Sequence, residues 1–124
     1  MTNILEIYKC KICGNLVEVL HPGKGILVCC NVPMEKLEEN TTEAAFEKHI
    51  PVIELSENET KVRVGSIEHP MTEQHYIEWI EILGEDEIHI KFLKPNQKPE
   101  YQIKIPLKNP KSRAYCNLHG LWKS

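Results

Sequence analysis

Residues 84–105, GEDEIHIKFLKPNQKPEYQIKI, decide the fold class of this 124-residue chain. Apolar and polar residues alternate over 88–92 and again over 101–105, and a period of two residues indicates half-buried β-strands. Turn residues bound these runs at Gly84-Glu85-Asp86 and Lys94-Pro95-Asn96. We expect the apolar residues of both runs to face a core: Ile88, Ile90, Phe92, Tyr101, Ile103 and Ile105.

The same signals extend toward the N-terminus. Val62 and Val64 alternate with Lys61 and Arg63, and the turn signal Glu57-Asn58 precedes them. The segment 76–83 also fits helical spacing, but its Ile, Tyr and Trp content favours a strand. Short strands with frequent turns are typical of a sandwich or barrel, so the chain is predicted to be mostly β.

One helical element is predicted before these strands. Asn40 and Glu43 are spaced as in a capping box, in which the first side chain bonds the helix N-terminus and the second bonds back. We therefore expect a helical turn or two through Ala44 and Phe46 toward His49.

Composition excludes several classes of protein. The chain is 41% hydrophobic and 27% charged with mean hydropathy −0.37, which is typical of a globular protein and not of a disordered one. A formal net charge of −3 argues against a nucleic-acid partner bound through a basic face. No long apolar run predicts a membrane span, and residues 1–11 lack the features of a signal peptide, so we expect a cytoplasmic protein.

The cysteines and histidines divide the chain in two. Four of the five cysteines precede residue 31, most histidines follow it, and the stretch Glu35–Thr42 between them is polar. We predict domains at residues 1–37 and 38–124. The smaller one is too short to fold on a hydrophobic core alone and requires a staple.

A metal site is the natural staple for the first domain. In a reducing compartment, cysteines are more often metal ligands or reactive thiols than disulfides. Cys10-x-x-Cys13 is an ordinary metal-binding knuckle in which Gly14 permits the tight turn. The adjacent pair Cys29-Cys30 is unusual and predicts an angularly distorted site. Zinc and iron both accept four thiolates, so the spacing alone leaves the metal open.

The histidines of the second domain indicate a different centre. Cys116-x-x-His119 has a ligand spacing that lets a thiolate and an imidazole meet one ion. Together with His49, His69 and His75 these residues would overfill a structural zinc site, whereas five protein ligands suit iron with one position open. We expect His21 and His89 to be surface or strand residues.

The order of these motifs resembles desulfoferrodoxin, the two-iron form of superoxide reductase. The likeness covers nearly the whole chain and rests on the following segments: Cys10-x-x-Cys13-Gly14-Asn15, Cys29-Cys30, Glu47-Lys48-His49-Ile50-Pro51-Val52-Ile53-Glu54, His69, His75, Phe92-Leu93-Lys94-Pro95 and Tyr115-Cys116-Asn117-Leu118-His119-Gly120. Leu121 stands where many relatives have a histidine, a position that is not a ligand.

The resemblance implies the fold and the metals. It implies a desulforedoxin-like domain that holds Fe(Cys)4, followed by an immunoglobulin-like antiparallel β-sandwich of the neelaredoxin type. The ligands of the first iron would be Cys10, Cys13, Cys29 and Cys30. The second, catalytic iron would be held by His49, His69, His75, His119 and Cys116.

The resemblance also implies an enzyme that reduces superoxide by one electron to hydrogen peroxide and forms no oxygen. Glu47 would occupy the sixth position of the ferric iron, and the Lys48 ammonium would attract the anion and hydrogen-bond the product. A small carrier such as rubredoxin would donate electrons. Members of the family are commonly homodimers.

Two other functions remain compatible with the residues alone. In an electron-transfer protein both centres would shuttle electrons and neither would bind a substrate. In a zinc-stapled binding module the histidines would be incidental. Binding of azide or cyanide would distinguish the enzyme from the carrier, and metal analysis would identify the module.

Overall fold

The computed structural model describes all residues, 1–124, and divides them into two compact units, Met1–Glu38 and Glu39–Ser124. Each unit has its own sheets. No helix in the chain is long and apolar enough to cross a membrane. Separate folding of domains 1–37 and 38–124 stays a prediction.

The first unit contains five very short strands and little core. The strands are β1 (Ile7–Lys9), β2 (Leu16–Glu18), β3 (Val28–Cys29), β4 (Val32–Pro33) and β5 (Glu35–Lys36). They form an antiparallel sheet of order β2-β1-β5 and a separate hairpin of β3 and β4. Its buried apolar side chains are Ile7, Cys10 and Val19. So few buried side chains cannot by themselves offset the entropy of ordering the segment.

The second unit is a β-sandwich of two antiparallel sheets. Its elements are α1 (Phe46–His49), β6 (Pro51–Leu55), β7 (Thr60–Val64), β8 (Ile77–Leu83), β9 (Ile88–Phe92), β10 (Glu100–Ile103), β11 (Lys111–Cys116) and β12 (Gly120–Lys123). One sheet has the order β10-β7-β6 and the other the order β12-β11-β8-β9. The core contains Val62, Val64, Ile77, Ile80, Ile82, Leu93, Ile103, Ala114 and Cys116. The mostly β prediction and the sandwich are confirmed.

Individual strand predictions have mixed outcomes. Val62 and Val64 on β7 are fully buried while Lys61 and Arg63 are half-buried, as the alternation predicts. Residues 77–83 form the longest strand and not a helix. The strand predicted over 101–105 ends at Ile103, and Ile105 is exposed.

The predicted burial on β9 is wrong. Phe92 is 76% exposed and Ile90 is 40% exposed. Phe92 lies opposite Trp79 and Ile90 opposite Glu81, and neither Trp79 nor Glu81 belongs to the sandwich core. Directly opposed residues share a face of a sheet, so the apolar side chains of β9 face away from the core at an edge strand.

The helical turn near His49 is confirmed, but its predicted capping box is wrong. The turn α1 begins after Ala45, and no side chain caps it. Asn40 instead has φ +60°, and its amide bonds the backbone of Lys123 at the far end of the chain. A long-range contact thus occupies the side chain that local spacing assigned to the helix.

Candidate metal centres

The first cluster joins four cysteines of the first unit. The Sγ atoms of Cys10, Cys13, Cys29 and Cys30 all lie within 4.8 Å of one another. Cys10 follows β1, and Gly14, with φ +85°, closes the turn after Cys13 by donating its N–H to the Cys10 carbonyl at 2.9 Å. This is the turn that the knuckle sequence predicts.

The β3–β4 hairpin explains how two adjacent cysteines reach one point. Its two-residue loop is Cys30-Asn31, with φ values of +52° and +61°. Two left-handed residues are the requirement of a type I′ turn, the tight turn that matches the twist of a hairpin. Cys29 therefore stays on the strand while Cys30 turns back within the loop toward the same cluster.

The thiols of this cluster compete for protons. Backbone N–H groups of Cys13 and Ile12, led by that of Cys13, lower the pKa of Cys10 to about 6. The side chains of Cys13 and Cys10 raise the pKa of Cys30 to about 12. Four thiolates this close together repel one another, so they ionise together only around a cation. The donor set fits a tetrahedral metal ion that accepts four thiolates.

The second cluster joins four imidazoles and one thiol of the sandwich. His49 ends α1, His69 and His75 lie between β7 and β8, Cys116 ends β11, and His119 precedes β12. Ligand atoms of His49, His75, Cys116 and His119 lie within 4.8 Å of one another. The Nε2 atoms of His69 and His49 are 3.1 Å apart, which brings His69 to the same point.

The imidazoles form a closed ring of four. Each pair of neighbours around the ring crosses at 79° to 83°, with centroids 4.5 to 5.0 Å apart. His49 and His75 stand opposite each other at 29° and 6.1 Å. The nitrogen atoms of neighbouring rings therefore converge on one centre.

Hydrogen bonds determine which nitrogen atoms can bind a metal. His49 donates from Nδ1 to the Ala45 carbonyl at 2.7 Å, and His69 donates from Nδ1 to the Pro70 carbonyl at 2.6 Å. Each neutral ring then carries a lone pair on Nε2. Two lone pairs that face each other at 3.1 Å cannot bond to each other, and they require a shared cation. The Nε2 of His75 is likewise buried without a partner.

Burial keeps these donors in the form that a metal requires. Burial lowers the pKa of His69 to about 4 and lowers the pKa of His49 and His75, so the three rings are neutral near pH 7. Burial also raises the pKa of the Cys116 thiol, and the backbone N–H groups of His119 and Leu118 offset part of this effect by lowering it. A bound cation would supply the charge that ionises this thiol.

Glu47 and Lys48 are exposed residues of α1 beside His49. Burial is the largest cause of the lowered pKa of His49 and His75. The neighbouring imidazoles and the Lys48 ammonium lower it further. Glu47 is anchored by its backbone: its carbonyl accepts from the Ile67 N–H at 2.9 Å and from the Ser66 hydroxyl at 3.1 Å. The functional roles of the two side chains stay predictions.

Sequence reasoning missed two residues that support the second cluster. The indole of Trp122 packs on His49 with centroids 4.8 Å apart and donates to the His119 carbonyl at 3.0 Å. Gly65 lies against the backbone of Glu47 and Lys48. A glycine that ends an alternating strand pattern is the one local signal that indicates such a close approach.

Two histidines lie outside both clusters, as expected. His89 is on β9, where its Nε2 lies 3.0 Å from a carboxylate oxygen of Glu87. His21 lines an open cavity of about 470 Å³ in the first unit.

Both halves of the chain are similar in sequence to known proteins. The family model Desulfoferrodoxin matches residues 41–124, and the model Desulfoferrodoxin, N-terminal domain matches residues 2–37. The chain is 53% identical over 124 residues to a desulfoferrodoxin of Nitratidesulfovibrio vulgaris, and 51% identical to a desulfoferrodoxin homolog of Archaeoglobus fulgidus. These alignments cover all of this chain and 98% and 99% of those proteins.

A solved structure extends the likeness to three dimensions. The superoxide reductase of Treponema pallidum matches with a TM-score of 0.76 and 32% identity, over 98% of this chain and 99% of that one. Full-length agreement in sequence and in fold, with nine cysteines and histidines gathered into two clusters, leads to one assignment. The chain belongs to the desulfoferrodoxin family.

Proposed function

We propose that this protein is a superoxide reductase, which converts superoxide to hydrogen peroxide with one electron and two protons. The observation that carries the proposal is the ring of four imidazoles with the Cys116 thiol at the same centre. The two donor sets match the two-iron arrangement of the family. The structural relative from Treponema pallidum, which matches over both units, is called a superoxide reductase.

The chemistry of the donors supports this proposal over a structural role for the second site. Five protein donors exceed the four of a closed zinc site and leave one position of six-coordinate iron for a substrate. Iron held by His49, His69, His75, His119 and Cys116 would supply the electron. The thiolate is an electron-rich donor, and a ferrous ion bound by it and by neutral imidazoles would leave the site positively charged, which favours an anionic substrate.

Charged residues at the surface of the second site would determine how readily the anionic substrate approaches. Residues 38–124 carry 15 acidic and 11 basic groups, so their net field repels superoxide. The Lys48 ammonium is exposed beside His49 and would offset that repulsion. We propose that the Lys48 ammonium attracts the superoxide anion and hydrogen-bonds the peroxide product, and that the Glu47 carboxylate would serve as a further ligand of the oxidised iron.

The first site would serve as a one-electron store on the same chain. Its four thiolates suit an iron that changes charge without binding a substrate. We propose that a small electron carrier such as rubredoxin reduces the protein, and that the protein works in the cytoplasm as a homodimer.

Stoichiometry tests the proposed reaction. The iron-loaded, reduced protein should consume superoxide and yield one peroxide for each superoxide, with no oxygen. Dismutation, or an absence of consumption as in a pure electron carrier, would contradict the proposal. His119→Ala should abolish the reaction, and His89→Ala, which alters a histidine outside both clusters, should not.

A further inference from the structure

His75 is held differently from the two imidazoles that precede it in the chain. His49 and His69 each have an Nδ1 bond to a backbone carbonyl, which fixes the orientation of the ring. No such bond holds the ring of His75, and its Nε2 is buried without a partner. The orientation of this ring therefore depends on its backbone.

That backbone is fully hydrogen-bonded by two other residues. Asn117 accepts the Tyr76 N–H at 2.9 Å and donates from Nδ2 to the Gln74 carbonyl at 3.0 Å. Thr72 Oγ1 accepts the His75 N–H at 3.1 Å, and the Thr72 N–H donates to the His75 carbonyl at 3.0 Å. All four polar groups of the two peptide bonds that flank His75 thus have partners.

The partner residues differ in their location. Thr72 belongs to the same loop as His75, so its bonds form a local turn. Asn117 lies 41 residues from Tyr76, between Cys116 and His119 in the β11–β12 loop. Its own N–H also donates to the Tyr76 carbonyl at 3.2 Å. Asn117 therefore joins the segment that carries the metal ligands Cys116 and His119 to the loop that carries His75.

We propose that Asn117 and Thr72 are positioning residues for the second metal centre. They hold the peptide bonds around His75 and so aim a ring that lacks an orienting bond of its own. Asn117 also keeps His75 in register with Cys116 and His119. This inference rests on metal binding by the second cluster and is independent of the reaction that the metal performs.

Titration of the metal-free protein with Co²⁺ tests the proposal. Loss of a residue that orients a metal ligand weakens binding by about 10–100-fold, and we expect that loss at the second site in Asn117→Ala. Quenching of the Trp122 fluorescence reports this site, because the indole packs on His49. The absorption of Co²⁺ on the four cysteines provides an internal control and should not change.

Asn40→Gly is the matched control. Asn40 also accepts and donates one bond each, to the backbone of Lys123 at 2.8 and 3.2 Å, and it joins two distant segments of the same unit. Glycine tolerates its φ of +60°. This variant should lose thermal stability comparable to that of Asn117→Ala but retain wild-type affinity at the second site. Equal losses of Co²⁺ affinity in both variants would overturn the proposal.

A double-mutant cycle determines whether Asn117 acts through His75. If it does, adding Asn117→Ala to His75→Ala should cost little further Co²⁺ affinity, because the ring that Asn117 positions is already absent. Full additivity would show that Asn117 acts elsewhere and would overturn the inference. Thr72→Val removes only the Oγ1 bonds and keeps the backbone bonds between Thr72 and His75, so it should weaken the second site less than Asn117→Ala does and should also be non-additive with His75→Ala.

Discussion

Gly65 lies so close to Glu47 that a Cβ atom at residue 65 would be 2.6 Å from the Glu47 carbonyl oxygen. The same atom would be 2.9 Å from the Lys48 carbonyl carbon. Both neighbours are backbone atoms, which cannot rotate away as the end of a side chain can. The end of β7 therefore sets the position of α1, the turn that carries Glu47, Lys48 and His49.

Gly65→Ala should consequently destabilise the sandwich by about 1–3 kcal/mol, the usual cost of overpacking. It should also weaken metal binding at the second site, because α1 must move to accommodate the methyl group. Denaturant unfolding and Co²⁺ titration measure the two effects. Gly84→Ala is the control, since its Cβ would meet the flexible Glu87 side chain. Equal effects from both substitutions would contradict the close-approach argument.

Lys48→Gln should slow the reaction with superoxide and leave iron binding intact. The attraction between one ammonium charge and one superoxide anion at roughly 6 Å is worth ~0.7 kcal/mol in water and ~2.8 kcal/mol at an effective dielectric of about 20. These energies correspond to a factor of about three to a hundred in rate. The wild-type rate should fall as ionic strength rises, and that of the variant should be flat or should rise. Pulse radiolysis across a salt series measures both. Lys91→Gln, on β9, should behave as wild type.

Cys13→Ser should remove the first metal and loosen residues 1–37 without unfolding the sandwich. The first unit has only three buried apolar side chains, so the metal contributes much of its folding energy. The core of the second unit contains no residue of the first. Iron content should fall to about one per chain with superoxide reduction retained, and hydrogen exchange should rise in residues 1–37 alone. Loss of both irons would refute the separate folding of domains 1–37 and 38–124.

The metal-free protein should lose stability as the pH falls below the ordinary histidine range. The pKa of His69 is about 4 in the folded protein against 6.5 without burial, and the pKa values of His49 and His75 are also lowered. Between these values the unfolded chain binds protons that the folded chain does not, so the free energy of unfolding decreases with falling pH. Urea unfolding from pH 7 to pH 4 measures it.

The control for this pH dependence is His89→Ala, which should retain the wild-type profile because His89 lies outside the cluster. His69→Gln should flatten the profile. A free energy of unfolding that stays constant or increases from pH 7 to pH 4 would contradict the account.

Features that depend on local pattern were predictable from the sequence. The alternation around Val62 and Val64 identifies β7, and the Cys10-x-x-Cys13-Gly14 knuckle forms the expected turn. A strand period and a tight turn are properties of a few consecutive residues, so they survive in almost any tertiary context. The chemistry of the donors is equally local, since four thiols and a set of imidazoles with one thiol bind metals wherever the chain gathers them.

Tertiary structure alone decided the contacts between distant segments. The apolar side chains of β9 face away from the core because of their register with β8, and Asn40 bonds Lys123 instead of capping α1. The hydrogen bonds between Asn117 and the loop of His75 join segments 41 residues apart. An amide or an isoleucine has the same local preferences in either arrangement, and the choice depends on which partners the completed sandwich brings within reach.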